Sequence, residues 1–337
     1  MGTYRLLLAL CVLYSHVFGQ IAGWNIGVVA VISFFIISGY VMSLLIVRHY
    51  PDRNDLLRFY ADRSARLFPQ FLAYLALTLL AMKLVGFTDV FLRDVGPIQI
   101  ALNALMLPLG FYMFGLEHAL IIPPAWSLGL EVTFYIVFPF FLGLQRGAKV
   151  MAIAASVVVF CAAFAGFIDT DWFGYRLLPG LFFIFATGSA LAQRKWPPAL
   201  TLSFACGAML LLLFLPNMYT KLYNKEVVAG IIVGIPAVYL LGRIPFSSFD
   251  ELMGNLSYGV FLNHFLLLRV INHFDGSRML VPLLSLGLAW ISYALIERPA
   301  LQLRRNLRRS SRGSRIDRGY GNSNVPEKVM IWPDTTG

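Results

Sequence analysis

The stretch GVVAVISFFIISGYVMSLLIV fills residues 27–47 and holds 21 consecutive residues without a charged side chain. As a helix it would reach about 30 Å, which is the thickness of the hydrocarbon core of a bilayer. The next segment, RHYPDRNDLLRFYADRSAR at 48–66, contains five arginines. An uncharged run that ends in an arginine-rich loop is typical of a membrane-spanning helix followed by a cytoplasmic loop.

The composition of the whole chain points the same way. Of the 337 residues, 58% are hydrophobic and only 13% are charged. Soluble domains carry about a quarter charged residues, and disordered or fibrous chains cannot hold so many apolar side chains. The composition therefore excludes both classes and predicts an all-α polytopic membrane protein.

Eleven stretches are long and apolar enough to be candidate spans. They are 5–22, 27–47, 67–87, 98–116, 126–145, 150–168, 175–193, 199–216, 226–242, 257–274 and 280–297. If the loop at 48–66 is cytoplasmic, eleven spans would place the arginine-rich C-terminal tail outside, against the positive-inside rule. An odd number of spans is therefore disfavoured.

The stretch 98–116 is the weakest of the eleven, since it contains Asn103, Pro108 and Gly110. We predict that it is re-entrant or lies at the outer surface, within an irregular segment around 88–125 that contacts protein or water rather than lipid. The prediction is then a bundle of about ten transmembrane helices with both termini in the cytoplasm. An eleventh spanning helix is the alternative. The apolar N-terminus could also be a signal peptide, but Tyr14, Ser15 and His16 interrupt it and favour a retained helix.

The chain divides into a transmembrane domain, 1–299, and a basic cytoplasmic tail, 300–337, that we expect to be disordered. Nine basic and three acidic residues from Arg298 onward give +6 of the total net charge of +10. Such a tail beside a membrane helix predicts contact with the lipid bilayer, and no nucleic acid is expected as a partner. The three cysteines show neither a paired motif nor metal-ligand spacing, so no metal site or disulfide framework is predicted.

The first helix carries two ionisable residues on one side. His16 follows Arg5 by eleven positions, which places the two within roughly 20° of one helix face and about 16 Å apart along the axis. We expect Arg5 at the cytoplasmic mouth and His16 near the membrane midplane, both facing one groove. A guanidinium there suits a phosphate, and an imidazole suits a general base. The alternative is a structural histidine and a topology charge.

Two later helices carry similar polar groups. In WSLGLEVTFYIVFP, 126–139, Ser127, Glu131 and Tyr135 recur every four residues and form one polar stripe. A membrane carboxylate requires a hydrogen-bonding or cationic partner, although the stripe could serve only helix packing. In NLSYGVFLNHFLL, 255–267, Ser257 shares a face with His264.

Arg63 and Arg66 are three residues apart at the start of the third helix, so they could bind one anion, or serve only as positive-inside charges. Glycine-loop nucleotide motifs, GxSxG and HExxH are all absent from the sequence. Nucleotide hydrolysis and the chemistry of soluble hydrolases therefore receive no support.

Taken in order, these residues resemble the acyltransferase 3 family of bacterial integral-membrane acyltransferases. The matching positions cover about residues 5–299. They are Arg5 and His16, Gly27-Val28 with FFIISGY at 34–40, then Phe59, Arg63, Arg66 and Pro69, then Trp126-Ser127-Leu128, Glu131, Phe134-Tyr135 and Pro139, and finally Leu256-Ser257-Tyr258, Leu262, His264 and Glu297-Arg298-Pro299. The chain departs from the family pattern in starting only four residues before Arg5 and in lacking an appended hydrolase-like domain.

The resemblance implies transfer of an acetyl or other short acyl group from cytoplasmic acyl-CoA to a hydroxyl of an envelope or secreted glycan, in the bacterial inner membrane. No permanently bound cofactor is implied; acyl-CoA, above all acetyl-CoA, is the co-substrate, and a glycan or glycolipid is the acceptor. His16 and Glu131 are then the expected catalytic residues, and Arg5, Arg63 and Arg66 bind the donor. Further candidates are Ser38, Trp126, Ser127, Tyr135, Ser257, Tyr258 and His264.

Two readings compete with an enzyme. Ten helices with an interior Glu and His also suit a multi-pass transporter or flippase for a glycan or lipid-linked substrate. Comparison of 1–145 with 150–299 shows no internal repeat of the kind common in transporters. A scaffold without chemistry would tolerate the loss of His16 and of both loop arginines.

Overall fold

The computed structural model describes residues 1–193, 207–209, 214–245 and 247–302. Besides a four-residue helix, Asn217–Thr220, ten α-helices, which we number α1 to α10, form the described part of the bundle. They are α1 Gly2–Val17, α2 Ile26–His49, α3 Leu56–Val85, α4 Pro97–Ala104, α5 Trp126–Gly143, α6 Arg146–Ala165, α7 Leu178–Ala192, α8 Asn224–Leu241, α9 Ser248–His273 and α10 Leu280–Ser292. A π-type turn, Trp172–Arg176, precedes α7, and a second one, Tyr293–Glu297, extends α10. No strand is found in the described ranges.

The prediction of an all-α polytopic membrane protein is confirmed. Seven helical segments in the described residues are long and apolar enough to cross a bilayer. They correspond to α2, α3, α5, α6, α7, α8 and α10. Two further predicted spans are also helices, which brings the predicted spans observed as helices to nine. They are the apolar α1, with 16 residues, and α9, with 26. Most of the tenth predicted span, 199–216, and most of the predicted tail lie outside the described residues.

The first predicted span ends earlier than expected. The stretch 5–22 is helical only as far as Val17, because the chain turns through Gly19 and Gly23, whose φ angles of 88° and 76° lie in the left-handed region. Asn25 then caps α2 by accepting hydrogen bonds from the amides of Gly27 and Val28. His16 therefore occupies the last turn of a short helix and not the middle of a longer one.

The segment around 88–125 is irregular, as predicted. The stretch 98–116 is broken into α4 and a 3-10 segment, Leu107–Phe114, with Met106 at a φ of 61° between them. Asn103 stabilises it: its amide nitrogen donates to the carbonyl of Ala119 at 2.7 Å, and its oxygen accepts from the amide of Ile121 at 3.1 Å. Since this stretch is no continuous helix, the alternative of an eleventh span there is wrong.

Helix α2 lies at the centre of the bundle, in contact with α1, α5, α7 and α8. Glycines let the backbones approach closely, as in many membrane helix pairs. A Cβ atom on Gly39 would come within 1.9 Å of the carbonyl oxygen of Phe185, and one on Gly188 within 2.0 Å of that of Ile36. These contacts fix the register of α2 against α7.

This contact gives a first prediction. Gly39→Ala is expected to lower the free energy of unfolding by about 1–3 kcal/mol, because the added methyl meets backbone that cannot rotate away. Gly287→Ala on α10 is the matched control, since a Cβ there meets no atom within 4 Å. Thermal unfolding in detergent compares the two variants, and equal stability of both would contradict close packing at Gly39.

Candidate active site

His16 lines a cavity near the C-terminal end of α1. The cavity has about 430 Å³ of empty volume, its open mouth included, and we call it the histidine chamber. Its other lining residues come from several helices and from the turns between them: Val12, Asn25, Gly27, Val28, Val31, Pro124, Trp126, Ser127, Tyr175, Arg176, Tyr223 and Phe261. Aromatic walls with a few convergent polar groups are typical of a ligand site.

The His16 ring is hydrogen-bonded to a second histidine. Its Nδ1 lies 2.9 Å from Nε2 of His264 on α9, and the two rings are nearly coplanar, at 9°. His264 is fully buried, and its Nδ1 lies 3.0 Å from the carbonyl oxygen of Val260, one turn earlier on α9. The two histidines, separated by 248 residues, thus form a chain of hydrogen bonds that ends at the chamber wall.

A buried polar network holds α9 in place beside His264. The neighbouring Asn263 donates to the carbonyl oxygen of Ser285 at 3.0 Å and accepts from the hydroxyl of Ser285 at 2.5 Å. It also donates to the hydroxyl of Tyr74 at 3.3 Å, and Tyr74 in turn donates to Ser292 at 2.6 Å. The bonds of Asn263 form only when α9 has one particular orientation about its own axis. The network therefore fixes the direction in which the neighbouring His264 faces.

Arg176 is the main chamber residue that the sequence analysis missed. Its Nε donates to both carboxylate oxygens of Asp171 at 2.8 Å, and its guanidinium lies 4.8 Å from the centre of the Trp126 ring and 5.2 Å from that of Tyr175. An arginine within the apolar stretch 175–193, five residues after an aspartate, was a usable signal. It brings a paired cation into the same chamber as His16.

Glu131 stands at the centre of a second group, closer to the N-terminal end of α1. Its Oε1 accepts hydrogen bonds from the hydroxyls of Ser38 on α2, at 2.6 Å, and of Tyr135 on α5, at 2.5 Å. Ser127 precedes Glu131 by one turn on α5 and lines the histidine chamber. The polar stripe predicted for α5 therefore connects the two groups.

The two arginines of α3 do not address one anion, and this expectation needs correction. Arg63 is buried and donates to the carboxylate of the adjacent Asp62. Arg66 donates to Glu297 at the end of the last helix, and its guanidinium lies 5.3 Å from the centre of the Tyr258 ring. A guanidinium removed from water requires a counter-charge, and each arginine finds a different one.

Arg5 differs from both. Arg5 is partly exposed as a residue, and its guanidinium forms no ion pair with any described residue. The charged groups that act on it include Arg66, Glu131 and Glu297. With Arg63 and Asp62, these form what we call the arginine cluster: Arg5, Arg63, Arg66, Asp62, Glu131 and Glu297. Its formal charges balance at three and three, but Arg5 alone among the arginines has its donors available for a ligand.

The remaining candidates fall near one group or the other. Trp126 lines the histidine chamber, and Tyr258 lies under Arg66 with its hydroxyl donating to the carbonyl of Leu67 at 2.8 Å. Ser257 is buried and bonds back to the carbonyl of Gly254 at 2.7 Å. Arg5 is not among the residues that line the chamber. Arg5 and His16 were expected to face one groove. In the structure the two residues of α1 belong to two different polar groups.

Comparisons with known proteins identify the family of the chain. A family model described as an acyltransferase domain matches residues 4–296. An uncharacterized protein of Aquifex aeolicus (strain VF5) is 35% identical over 205 residues, which cover 56% of this chain and 91% of the relative. No solved structure matches. The family match spans the histidine chamber and all of the arginine cluster except Glu297.

Proposed function

The chain belongs to the acyltransferase 3 family, and from this premise we propose that it transfers an acetyl or other short acyl group from cytoplasmic acyl-CoA to a glycan hydroxyl. The protein is a membrane acyltransferase by its family and fold. Our proposal adds the acyl-CoA donor and an acceptor glycan of the cell envelope or of a secreted polymer. It also adds a place in the bacterial inner membrane with both termini cytoplasmic.

The observation that carries the proposal is the pairing of His16 with His264 at the wall of the chamber. A general base must reach the proton that it removes, and His16 is exposed to the chamber whereas His264 is buried. Trp126, Tyr175 and Tyr223 offer aromatic faces, which suit the apolar faces of a sugar ring. Ser127 and Asn25 offer groups for its hydroxyls.

The proposed reaction is a direct transfer. The acceptor hydroxyl gives its proton to His16 while its oxygen attacks the thioester carbonyl carbon. The carbon–sulfur bond then breaks, and the departing thiolate takes up a proton to give free CoA and the O-acyl ester. Arg176 stands at the chamber wall, where its guanidinium would stabilise the negative oxygen of the intermediate.

The arginine cluster suits the other end of the donor. Arg5 precedes His16 by eleven residues on α1, which corresponds to about 16 Å along the helix. The extended arm of CoA between its phosphates and its thioester bridges a distance of this order. We therefore propose that Arg5 binds a phosphate of the donor, with the carboxylate-paired Arg63 and Arg66 as further positive charges beside it and with Glu131 holding Ser38 and Tyr135.

Purified protein in detergent tests the proposal. Acyl-CoA and candidate glycans are supplied, and the release of free CoA thiol and the mass of the glycan are measured. We expect acceptor-dependent thiol release and a gain of about 42 mass units for each acetyl ester formed. Accumulation of unmodified glycan in a deletion strain completes the test. A transporter would release no thiol under any of these conditions.

A second prediction concerns Arg5. Arg5→Ala is expected to raise KM for acyl-CoA by about 10- to 100-fold, the worth of a charge-assisted hydrogen bond to phosphate, with a smaller change in kcat. Arg243→Ala is the control, since Arg243 is exposed and its guanidinium binds only the nearby Tyr239 among the contacts of the described residues.

The donor itself sharpens this test. If Arg5 binds the 3′-phosphate of CoA, removal of that phosphate should raise KM more in the wild type than in Arg5→Ala. If Arg5 binds another phosphate of CoA, removal of the 3′-phosphate should raise KM equally in both. An unchanged KM in Arg5→Ala with either donor would contradict the assignment.

A further inference from the structure

We infer that His264 is a positioning residue that fixes the tautomer of His16, so that Nε2 of His16 is the atom that accepts the acceptor's proton. This inference rests on the proposed function, because it assigns the base of that reaction to one atom. It follows from the order of donors and acceptors along the chain Val260, His264 and His16.

The order begins at the backbone. A carbonyl oxygen only accepts, so the 3.0 Å contact between Nδ1 of His264 and the oxygen of Val260 requires a proton on Nδ1. His264 has no exposed surface and no carboxylate within hydrogen-bonding distance among its contacts in the described residues. Because an unpaired cation buried in this way is costly, the ring is neutral. Its Nε2 therefore carries a lone pair.

The second step transfers this constraint to His16. Nε2 of His264 can only accept, so the 2.9 Å contact requires Nδ1 of His16 to donate a proton. When His16 is neutral, its own Nε2 is then unprotonated. Within the described part of the chain, Nε2 of His16 has no hydrogen-bond partner. The nitrogen that would act as base is thus left available by a contact made on the other side of the ring.

Other groups near His16 do not supply this control. Arg176, on the chamber wall, cannot accept a proton from Nδ1, and Phe265 contacts the ring only through its aromatic face and edge. Without His264, His16 would revert toward the Nε2–H form that free imidazole side chains prefer. That form presents a donor where the reaction requires an acceptor.

The test reads the tautomer directly. Full-length protein with ring-¹⁵N-labelled histidine is placed in proteoliposomes, in a background where His49, His118 and His273 are replaced by Gln and thermal unfolding matches that of the wild type. Two labelled rings remain of the five histidines, and His16→Gln assigns their signals. We expect His16 to show a protonated Nδ1 and an unprotonated Nε2. A protonated Nε2 with an unprotonated Nδ1 in neutral His16 would overturn the inference without any variant of His264.

Two substitutions of His264 test its effect on the tautomer of His16 and on kcat. His264→Leu removes the acceptor, so His16 should shift to the Nε2–H form and kcat should fall by about 10²-fold, the lower range of general-base effects, with KM for acyl-CoA unchanged. His264→Gln retains an oxygen that can accept from Nδ1, so it should restore part of the Nδ1–H signal and part of kcat. A tautomer that is the same in wild type and His264→Leu contradicts the inference.

Failure of the inference and failure of the proposed function are distinguishable. If the tautomer responds to His264 as expected but no variant and no wild type transfers acyl groups, the positioning role stands and the acyl-CoA reaction is wrong. If the wild type transfers acyl groups and the tautomer does not respond, only the role of His264 is wrong.

Discussion

Replacing His16 by Gln lowers kcat for acyl transfer by about 10²- to 10⁴-fold, the contribution expected of a general base. Gln fills a similar volume and can still bond to His264, so the chamber keeps its shape. The rate falls because an amide cannot take up the proton of the acceptor hydroxyl. The measurement is acceptor-dependent thiol release from acyl-CoA by purified protein, compared at equal amounts of folded enzyme.

His273→Gln is the control for this prediction. It removes an exposed imidazole from the last turn of α9, the helix that also carries His264, without touching the chamber. Its rate should equal that of the wild type. Wild-type acyl transfer by His16→Gln would show that the chamber histidine is structural, and the proposed reaction would lose its base.

Replacing Glu131 by Ala is the prediction with the next largest effect. Two hydroxyls, of Ser38 and Tyr135, lose their common acceptor, and an unsatisfied buried hydroxyl costs about 1–3 kcal/mol. Three arginines of the cluster are then left with two carboxylates. We expect a free energy of unfolding lower by about 3 kcal/mol and little acyl transfer, measured by thermal unfolding and by thiol release.

Glu131→Gln separates the charge of this residue from its hydrogen bonds. The amide oxygen still accepts from the two hydroxyls, so stability should remain close to that of the wild type. The lost charge should lower kcat/KM by about 10- to 100-fold, the range of one charge-assisted interaction. Thr133→Val on the same helix is the control, since its hydroxyl bonds only to the carbonyl of Gly129 among the contacts of the described residues. Wild-type behaviour of Glu131→Ala would contradict a role for the cluster.

Most of the helical architecture could be predicted because its determinants are local. An uncharged run of about 20 residues is a property of the chain itself, and so is the break at 98–116, where Pro and Gly prevent a continuous helix. The end of α1 at Val17 was missed by five residues. The apolar stretch of the sequence does not end at Val17. The helix ends because glycines allow the backbone to turn in the left-handed region, and a hydropathy profile does not show this.

The site could be predicted in part. Helical spacing placed Ser127, Glu131 and Tyr135 on one face of α5; Tyr135 does bond to Glu131, and Ser127 lines the histidine chamber one turn earlier. The same reasoning treated Arg63 and Arg66 as a pair. Spacing on one helix does not reveal that Arg63 binds Asp62 whereas Arg66 binds Glu297. Arg176 was overlooked, although an arginine in an apolar stretch is itself a signal of function.

The sequence by itself determined that this protein is a helical membrane protein and which helix carries Arg5 and His16, since hydrophobic length and the 3.6-residue repeat are written along the chain. The packing of the helices was needed to show that His16 bonds to His264, that Arg5 alone within the arginine cluster has no described carboxylate partner, and that Arg176 shares the chamber. Hydrogen bonds and ion pairs join residues as far as 249 positions apart, and their partners are chosen by how helices pack, which no local pattern encodes.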